Sequence, residues 1–278
     1  LFLGEWCKRL SHKNRWQQLN SVTASYHWDD RNPLFQDYQY LQVVYEKVLV
    51  TLAQTLNHLH GVNRTVRYWR IILGPWLGYI VQILYDRYQM IKIAISNYGV
   101  SNTIIFDLDP KDMIIQDMSE FASFFISDIW NHWLYGEIIK EEKSINITTQ
   151  KITSHSHSKK EKKGSNSGIK VIIKTFLRTC FNKFSSSLTK IDYFFIHSTI
   201  SKQWRLEISL GQGPTFWKSP RIQHFEVDLH KRDEINLEMQ VDNEFESLLL
   251  KIIPQQIPAS YLEGYSALVK STEKISWP

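Results

Sequence analysis

The sequence predicts an α/β protein: a Rossmann-like parallel sheet with large helical insertions. Two observations carry this prediction. Short apolar segments typical of strands alternate with longer segments of helical periodicity, an order that favours a parallel sheet covered by helices on both faces. The chain has 278 residues, 43% of them hydrophobic and 13% aromatic, which is enough for a sizeable core in one large domain or at most two.

Seven segments of the first half are predicted as elements. They are a buried strand at Leu1–Leu3, a short helix at Asn14–Asn20, a weak strand at Val22–Trp28, a helix from Pro33 to about His60, a helix from Asn63 or Thr65 to about Asn97, a strand at Thr103–Phe106 and a helix at Ser119–Tyr135. Proline is favoured in the first turn of a helix, so Pro33 marks a start with Asn32 as its N-cap. Gly74-Pro75 predicts a break in the next helix, because proline removes a backbone donor.

The second half is predicted to hold one clear strand among helices. The predicted elements are a helix at Gly168–Phe184, a strand at Ile191–Ile196, a helix at Lys202–Leu210 and two helices at Phe245–Ile253 and Ala259–Thr272. The strand is β-branched or aromatic at almost every position. Prolines 254 and 258 separate the last two helices.

Composition excludes several classes of protein. Near-balanced charge, with 33 Lys and Arg against 28 Asp and Glu, and many aromatic residues are the opposite of a disordered composition. Cys7 and Cys180 are too few for a disulfide scaffold and suit a reducing compartment. No run of 18 apolar residues without a charge occurs, which argues against a spanning helix. We therefore expect a cytoplasmic protein.

The net charge of +5 is concentrated between His155 and Ser185, where seven lysines and Arg178 oppose Glu161 alone. Since the rest of the chain is slightly acidic, we expect no nucleic-acid partner. Residues 151–168 predict a flexible loop, because their polar composition cannot bury enough surface. The Lys159–Lys163 cluster suits contact with anionic lipid headgroups at the inner face of the membrane, or with a polyanionic substrate.

Candidate site residues follow from the strand ends. Ligands of open parallel sheets bind beyond the carboxyl ends of the strands, where acids and imidazoles can act as general bases. The residues selected as catalytic are Glu5, His27, Asp29 and Asp107, and those selected for substrate binding are Trp6, Trp28, Arg67, Arg70 and His197. The arginines match anionic groups in bidentate fashion.

Each of these residues also has a structural interpretation. Glu5 can pair with Lys8 or Arg9, Asp29 and Asp30 can cap the Pro33 helix, and Asp107 can form an Asx turn. The histidines can be satisfied structural groups, and the arginines can pair with local acids. Walker, GxGxxG, CxxC, HExxH and GxSxG motifs are absent from the sequence, so we expect no cofactor and no metal in this chain.

Six segments of the sequence are distinctive: Leu3–Cys7, Tyr26–Arg31, Asp37–Leu41, Arg67–Leu77, Ser127–His132 and Ile257–Tyr265. Together they resemble a transferase family of bacterial surface-carbohydrate biosynthesis. The family is similar to two-domain GT-B glycosyltransferases, distantly like those that transfer Kdo-type sugars. The resemblance implies that residues 1–278 are the acceptor-side domain of a longer enzyme, a fragment that lacks the domain for the nucleotide-sugar donor.

The function implied is transfer of a sugar from a nucleotide-activated donor to a carbohydrate acceptor during surface-polysaccharide synthesis. The chain is expected to be inactive without the donor domain. The alternative is a non-catalytic module that binds carbohydrate or protein. Ten Trp and thirteen Tyr residues would suit stacking on sugar faces in such a module.

Overall fold

A computed structural model describes residues 1–151 and 224–273. Within these ranges the fold is α/β and mostly helical, with one small parallel sheet. The α-helices and strands, in chain order, are α1 (Lys13–Trp16), α2 (Arg31–His60), α3 (Val66–Tyr98), β1 (Asn102–Asp107), α4 (Met118–Phe124), α5 (Asp128–Lys140), β2 (Asn146–Lys151), α6 (Leu229–Asp233), α7 (Glu244–Gln256) and α8 (Tyr265–Glu273).

Helices α2 and α3 pack against each other and carry much of the core. Their shared apolar residues are fully or almost fully buried: Leu41, Val44, Val48, Leu49, Leu52 and Leu56 on α2, and Trp69, Leu73, Trp76, Leu77, Ile80 and Leu84 on α3. Each buried leucine contributes roughly 1.5–3 kcal/mol relative to an exposed one. The turn between the helices is short because Gly61 closes α2 with a left-handed backbone (φ 62°), and Thr65 then caps α3.

The predicted break at Gly74-Pro75 is wrong, because α3 runs without interruption through Pro75. Proline leaves the carbonyl four residues earlier, that of Ile71, without its helical partner. Ile71 is 70% exposed, so water can satisfy this carbonyl, while the neighbours Gly74 and Trp76 are buried and hold the helix together. The N-cap of α2 is Asp30 and not Asn32. The side chain of Asp30 accepts a hydrogen bond from the backbone N–H of Asn32.

The sheet is smaller than predicted. β1 is confirmed at about the expected place, and it pairs in parallel with β2, which the sequence analysis missed. Helices α4 and α5 connect the two strands, where a single helix was expected. The strands expected at Leu1–Leu3 and Val22–Trp28 meet only as an isolated parallel bridge between Phe2 and Thr23.

Within the described residues, helices also do not cover both faces of β1. Ile105 is buried against α5, but Ile104 on the opposite face is 57% exposed. A full Rossmann-like sheet is therefore not established by the described residues. The loop expected at residues 151–168 and the elements expected at Gly168–Phe184, Ile191–Ile196 and Lys202–Leu210 lie, apart from Lys151 in β2, outside the described residues.

The C-terminal helices close one side of the core. Arg232 of α6 is fully buried, pairs with Glu263 and donates to the carbonyl groups of Pro254 and Ile257 at the end of α7. The backbone of Ala259 bonds to that of Ile115, which ties this region to the loop before α4. None of the described helices is long and apolar enough to cross a membrane.

Candidate functional site

A buried polar cluster lies where the segment before α2 meets α3 and α5. We define it as the His27 cluster, formed by His27, Asp37, Asp86, Arg87 and Asn131. Asp37 comes from α2, Asp86 and Arg87 from α3, and Asn131 from α5. The imidazole of His27 is 9% exposed, so its environment is set mainly by these side chains.

The imidazole faces a carboxylate at each ring nitrogen. Nε2 of His27 lies 2.9 Å from Oδ1 of Asp86, and Nδ1 lies 3.9 Å from Oδ2 of Asp37. Burial by itself would raise the pKa of Asp86, but the hydrogen bond from His27 and the charge of Arg87 outweigh it, so that this pKa lies below its ordinary value. An ionised carboxylate only accepts hydrogen bonds, so Nε2 carries the proton and Nδ1 is the free base of neutral His27.

The second carboxylate is held by two donors of its own. The indole N–H of Trp28 donates to Oδ2 of Asp37 over 2.9 Å, and the hydroxyl of Tyr85 donates to Oδ1 over 2.7 Å. Asp37 therefore stays in place beside Nδ1. Trp28, expected to bind substrate, uses its polar atom to position this carboxylate.

Aromatic residues cover the cluster from the side of the N-terminal segment. The ring of Tyr26 lies 5.1 Å from that of His27 and 5.4 Å from that of Trp6, which is 51% exposed. Burial and then the neighbouring Asp86 raise the pKa of Tyr26, which keeps its hydroxyl protonated. The buried hydroxyl of Tyr135, whose ring faces the Arg87 guanidinium, lacks a hydrogen-bond partner within the described residues.

The structure brings only part of the predicted site together. Trp6 and His27 are linked through Tyr26, and Glu5 is next in the chain to Trp6. Glu5 itself is exposed and pairs with Lys8 at 3.0 Å, which lowers its pKa; this is the structural interpretation considered above.

Asp29 and Asp107 do not join the cluster. Asp29 is exposed, and its backbone N–H closes a turn on the carbonyl of Tyr26. Asp107 ends β1 in register with Lys151. No hydrogen bond or ion pair among residues 1–151 and 224–273 connects Asp107 with His27, so the strand-end rule that selected both residues gains no support for Asp107.

The two arginines also stand apart. At 1.5 Å per residue, Arg67 lies about 28 Å along α3 from Asp86, and Arg70 about 24 Å. Arg70 forms a bidentate pair with Glu46, which agrees with the interpretation that the arginines pair with local acids. Arg67 is exposed. His197 lies outside the described residues.

Sequence reasoning missed Asp37, Asp86, Arg87 and Asn131 as site residues. Asp86 begins an i, i+4 series with the buried residues Met90 and Ala94, and an acid on an apolar stripe is almost never fully buried unless it is paired. This signal was present in the sequence. Asn131 lies within a segment that carried the family resemblance, but its role depends on contacts with α3.

A separate cleft of about 760 Å³ lies between α3, α7 and the end of α5. Its charges neutralise one another: Lys92 pairs with Glu142 at 2.8 Å and with Glu244 at 2.9 Å, and Lys251 pairs with Glu141. No group of three or more His, Cys, Asp or Glu side chains in the described part of the chain could hold a metal ion. The His27 cluster is therefore the better candidate for chemistry.

The described residues form an α/β scaffold that carries a buried acid–imidazole pair, and comparison with known proteins supplies the family. A model of the family described as "LIC12162 family transferase" matches residues 1–278. The chain belongs to this transferase family. No curated protein and no solved structure matched the chain.

Proposed function

We propose that this chain is the acceptor-binding part of a glycosyltransferase of bacterial surface-polysaccharide synthesis, with His27 as the general base. The observation that carries the proposal is the pairing of His27 Nε2 with Asp86 at 2.9 Å, which leaves Nδ1 to accept a proton. Membership of a transferase family supports it. The GT-B architecture, the likeness to Kdo transferases and the role in surface carbohydrate come from the resemblance.

The proposed reaction moves one proton and one glycosyl group. Nδ1 of His27 accepts the proton of an acceptor hydroxyl, whose oxygen forms a bond to the anomeric carbon of the donor sugar. The bond from that carbon to the nucleotide phosphate breaks, and the phosphate leaves with the electron pair. The carboxylates of Asp86 and Asp37 stabilise the imidazolium, and general-base catalysis of this kind contributes roughly 10²- to 10⁴-fold to the rate.

The aromatic residues give this site a means of holding a sugar. The half-exposed ring of Trp6 lies against Tyr26, close to His27. Aromatic rings offer apolar faces to the C–H groups of a pyranose, while polar groups beneath receive its hydroxyls. The nucleotide-sugar donor is assigned to the separate donor domain that the resemblance implies.

The experiment is turnover of the full-length protein with His27→Gln. We expect kcat to fall roughly 10²- to 10⁴-fold with KM for the acceptor nearly unchanged, because the substitution removes the base and little of the sugar-binding surface. His12→Gln is the matched control, since His12 is exposed in a turn near the N-terminus. Full turnover of His27→Gln would refute the assignment of the base.

A binding module without catalysis is the second candidate. Leu34, Phe35 and Tyr38 of α2 form an exposed apolar patch that lines, with Arg31, an open groove of about 650 Å³. Such a patch is typical of interaction surfaces. Normal turnover of His27→Gln in the full-length protein, combined with lost carbohydrate or protein binding in Phe35→Ala, would favour this candidate.

The proposed location is the cytoplasm, at the inner face of the membrane. The support is the lysine-rich segment Lys159–Lys163, which lies outside the described residues. Sedimentation with vesicles containing an anionic lipid tests this. Binding that weakens with added salt supports the proposal, and equal recovery with neutral vesicles contradicts it.

A further inference from the structure

Asp86 can act on His27 only if it stays ionised in a buried place. Its side chain is 5% exposed, and a buried carboxylate is costly unless it is paired and hydrogen-bonded. Both oxygens of Asp86 are engaged: Oδ1 with Nε2 of His27, and Oδ2 with Nη1 of Arg87. Arg87 is thus the cation that offsets the charge of Asp86.

Arg87 is itself held by Asn131. Its Nε and Nη2 donate to Oδ1 of Asn131 over 3.1 and 3.0 Å. The amide nitrogen of Asn131 donates to the carbonyl groups of Phe125 and Ser127, at 2.7 and 2.8 Å. These two bonds orient the amide, since its nitrogen must face the carbonyl groups and its oxygen the guanidinium. The first turn of α5 thereby fixes the direction of Arg87.

We propose that Arg87 and Asn131 are positioning residues for the His27 base: they hold Asp86 against Nε2, so that Nδ1 remains turned toward the acceptor hydroxyl. The inference rests on the proposed function for the role of Nδ1. The chain of contacts runs from the start of α5, through Asn131 and Arg87, to Asp86 and His27. Arg87, Asn131 and Asp86 act through His27 and need not touch the acceptor.

The charges around His27 make the proposal measurable. Asp86 and Arg87 face it from α3, Asp37 faces it from α2, and Tyr26 and Trp28 are its neutral neighbours. Without Arg87 the imidazole would lie between two carboxylates with no cation in the cluster. Asp86 would then lose the contact that holds it against Nε2, so a ring proton on Nδ1 would compete with one on Nε2 and would block the base.

The test is NMR of the His27 ring nitrogens in the otherwise intact chain. We expect the wild-type ring to hold one neutral tautomer, with its proton on Nε2, because Asp86 is fixed against that nitrogen. Arg87→Gln and Asn131→Ala should let the ring exchange between its two neutral tautomers, since Asp86 then loses the contacts that hold it in place. Arg15→Gln, an exposed arginine of α1, is the control.

The outcomes separate this proposal from the proposed function. A folded Arg87→Gln or Asn131→Ala variant whose His27 keeps the single Nε2–H tautomer would overturn the positioning role, whatever the turnover. If Arg87→Gln does not fold, Arg87→Lys takes its place: mixed tautomers support the role, and an unchanged single tautomer contradicts it. Mixed tautomers in the variants of a protein without transferase activity would leave the contacts in place and remove only the catalytic meaning of Nδ1.

Discussion

At the scale of single residues, Trp28 uses its polar atom to hold Asp37 in place, although the sequence analysis selected this residue for substrate binding. Trp28 gives its N–H to Asp37, and its ring stacks on Tyr85 at 6.3 Å. Trp6 differs, since half of it is exposed and it contacts Tyr26 edge-on. Two tryptophans that looked alike in the sequence therefore have different tasks.

This difference can be measured by replacing each tryptophan with phenylalanine. Trp28→Phe keeps an aromatic ring but leaves one oxygen of Asp37 without its donor, so we expect the free energy of unfolding to fall by about 1–3 kcal/mol. Trp6→Phe should change it by less than about 0.5 kcal/mol, as for most exposed positions. Urea denaturation of both variants is the measurement, and equal losses would contradict the assignment.

Gly4 sets the place of Trp6. A methyl group at Gly4 would lie 2.3 Å from the Trp6 ring, closer than atoms can approach. We expect Gly4→Ala to push the ring off Tyr26 and to weaken acceptor binding in the full-length protein, with little change in the free energy of unfolding. Trp6 fluorescence and acceptor titration test this, with Trp6→Ala as the comparison. An unshifted emission spectrum in Gly4→Ala would count against it.

At the scale of elements, two glycines of α3 make opposite predictions. A Cβ at Gly74 would meet the Tyr45 hydroxyl at 2.8 Å, whereas one at Gly78 would meet the same ring at 3.9 Å, an ordinary contact. Alanine in a helix is favoured over glycine by roughly 0.5–1 kcal/mol. We expect Gly78→Ala to stabilise the protein by about this amount and Gly74→Ala to destabilise it.

Thermal and urea unfolding of the two variants, made in the same background, provide the measurement. Both positions lie on one helix about one turn apart, but Gly74 directly precedes Pro75, whose ring disfavours helical geometry for a preceding residue with a Cβ. The difference between the two free energies therefore reports the contact with Tyr45 together with this effect of Pro75. Stabilisation by Gly74→Ala as well would show that Tyr45 moves away without cost.

At the scale of the whole molecule, two histidines tie separate parts of the fold together in their neutral form. Nε2 of His132 on α5 accepts the N–H of Phe106 in β1. His60 at the end of α2 stacks on Tyr265 of α8 at 4.2 Å and bonds to the carbonyl of Tyr261. Burial lowers the pKa of both histidines below the ordinary 6.5.

Stability should therefore fall when the medium becomes acid. Above pH 6.5 both histidines are neutral in the folded and unfolded chain, so they contribute no pH dependence. As the pH falls below 6.5, the unfolded chain takes up protons more readily than the folded one, and the free energy of unfolding decreases. The lowered pKa of Asp86 adds its own loss only below its ordinary 3.8.

Urea unfolding at pH 7.5 and 5.5 tests this, with His132→Gln as the comparison. We expect the wild type to lose stability between the two values, and His132→Gln to be less stable at pH 7.5 but less dependent on pH. A double variant with His60→Gln should flatten the dependence further. Equal pH dependence in the wild type and both variants would show that other groups govern acid stability.

How much the sequence predicts depends on how local each cause is. The helix starting near Pro33, its end at Gly61 and the strand β1 depend on neighbours in the chain, and all three were predicted. β2 has a mostly polar sequence, and its pairing depends on a partner 44 residues away, so periodicity could not reveal it. His27 was selected by a strand-end rule, although the strand before it is a single bridge. The stripe of buried residues on α3 could have flagged Asp86 as a paired acid, but no local pattern specifies that its partner is His27 or that Asn131 comes from α5.

The bond from Phe106 to His132 also limits how the sheet can grow. In a parallel sheet the amides of alternate residues point to opposite neighbours, and the Phe106 amide is given to a side chain, not to β2. A further strand beside β1 on that side would meet the Phe106 amide already hydrogen-bonded and the His132 imidazole in the way. Within the described residues, the edge of β1 away from β2 is thus closed to edge-to-edge association near its end, a protection that would weaken in acid as the imidazole takes up a proton.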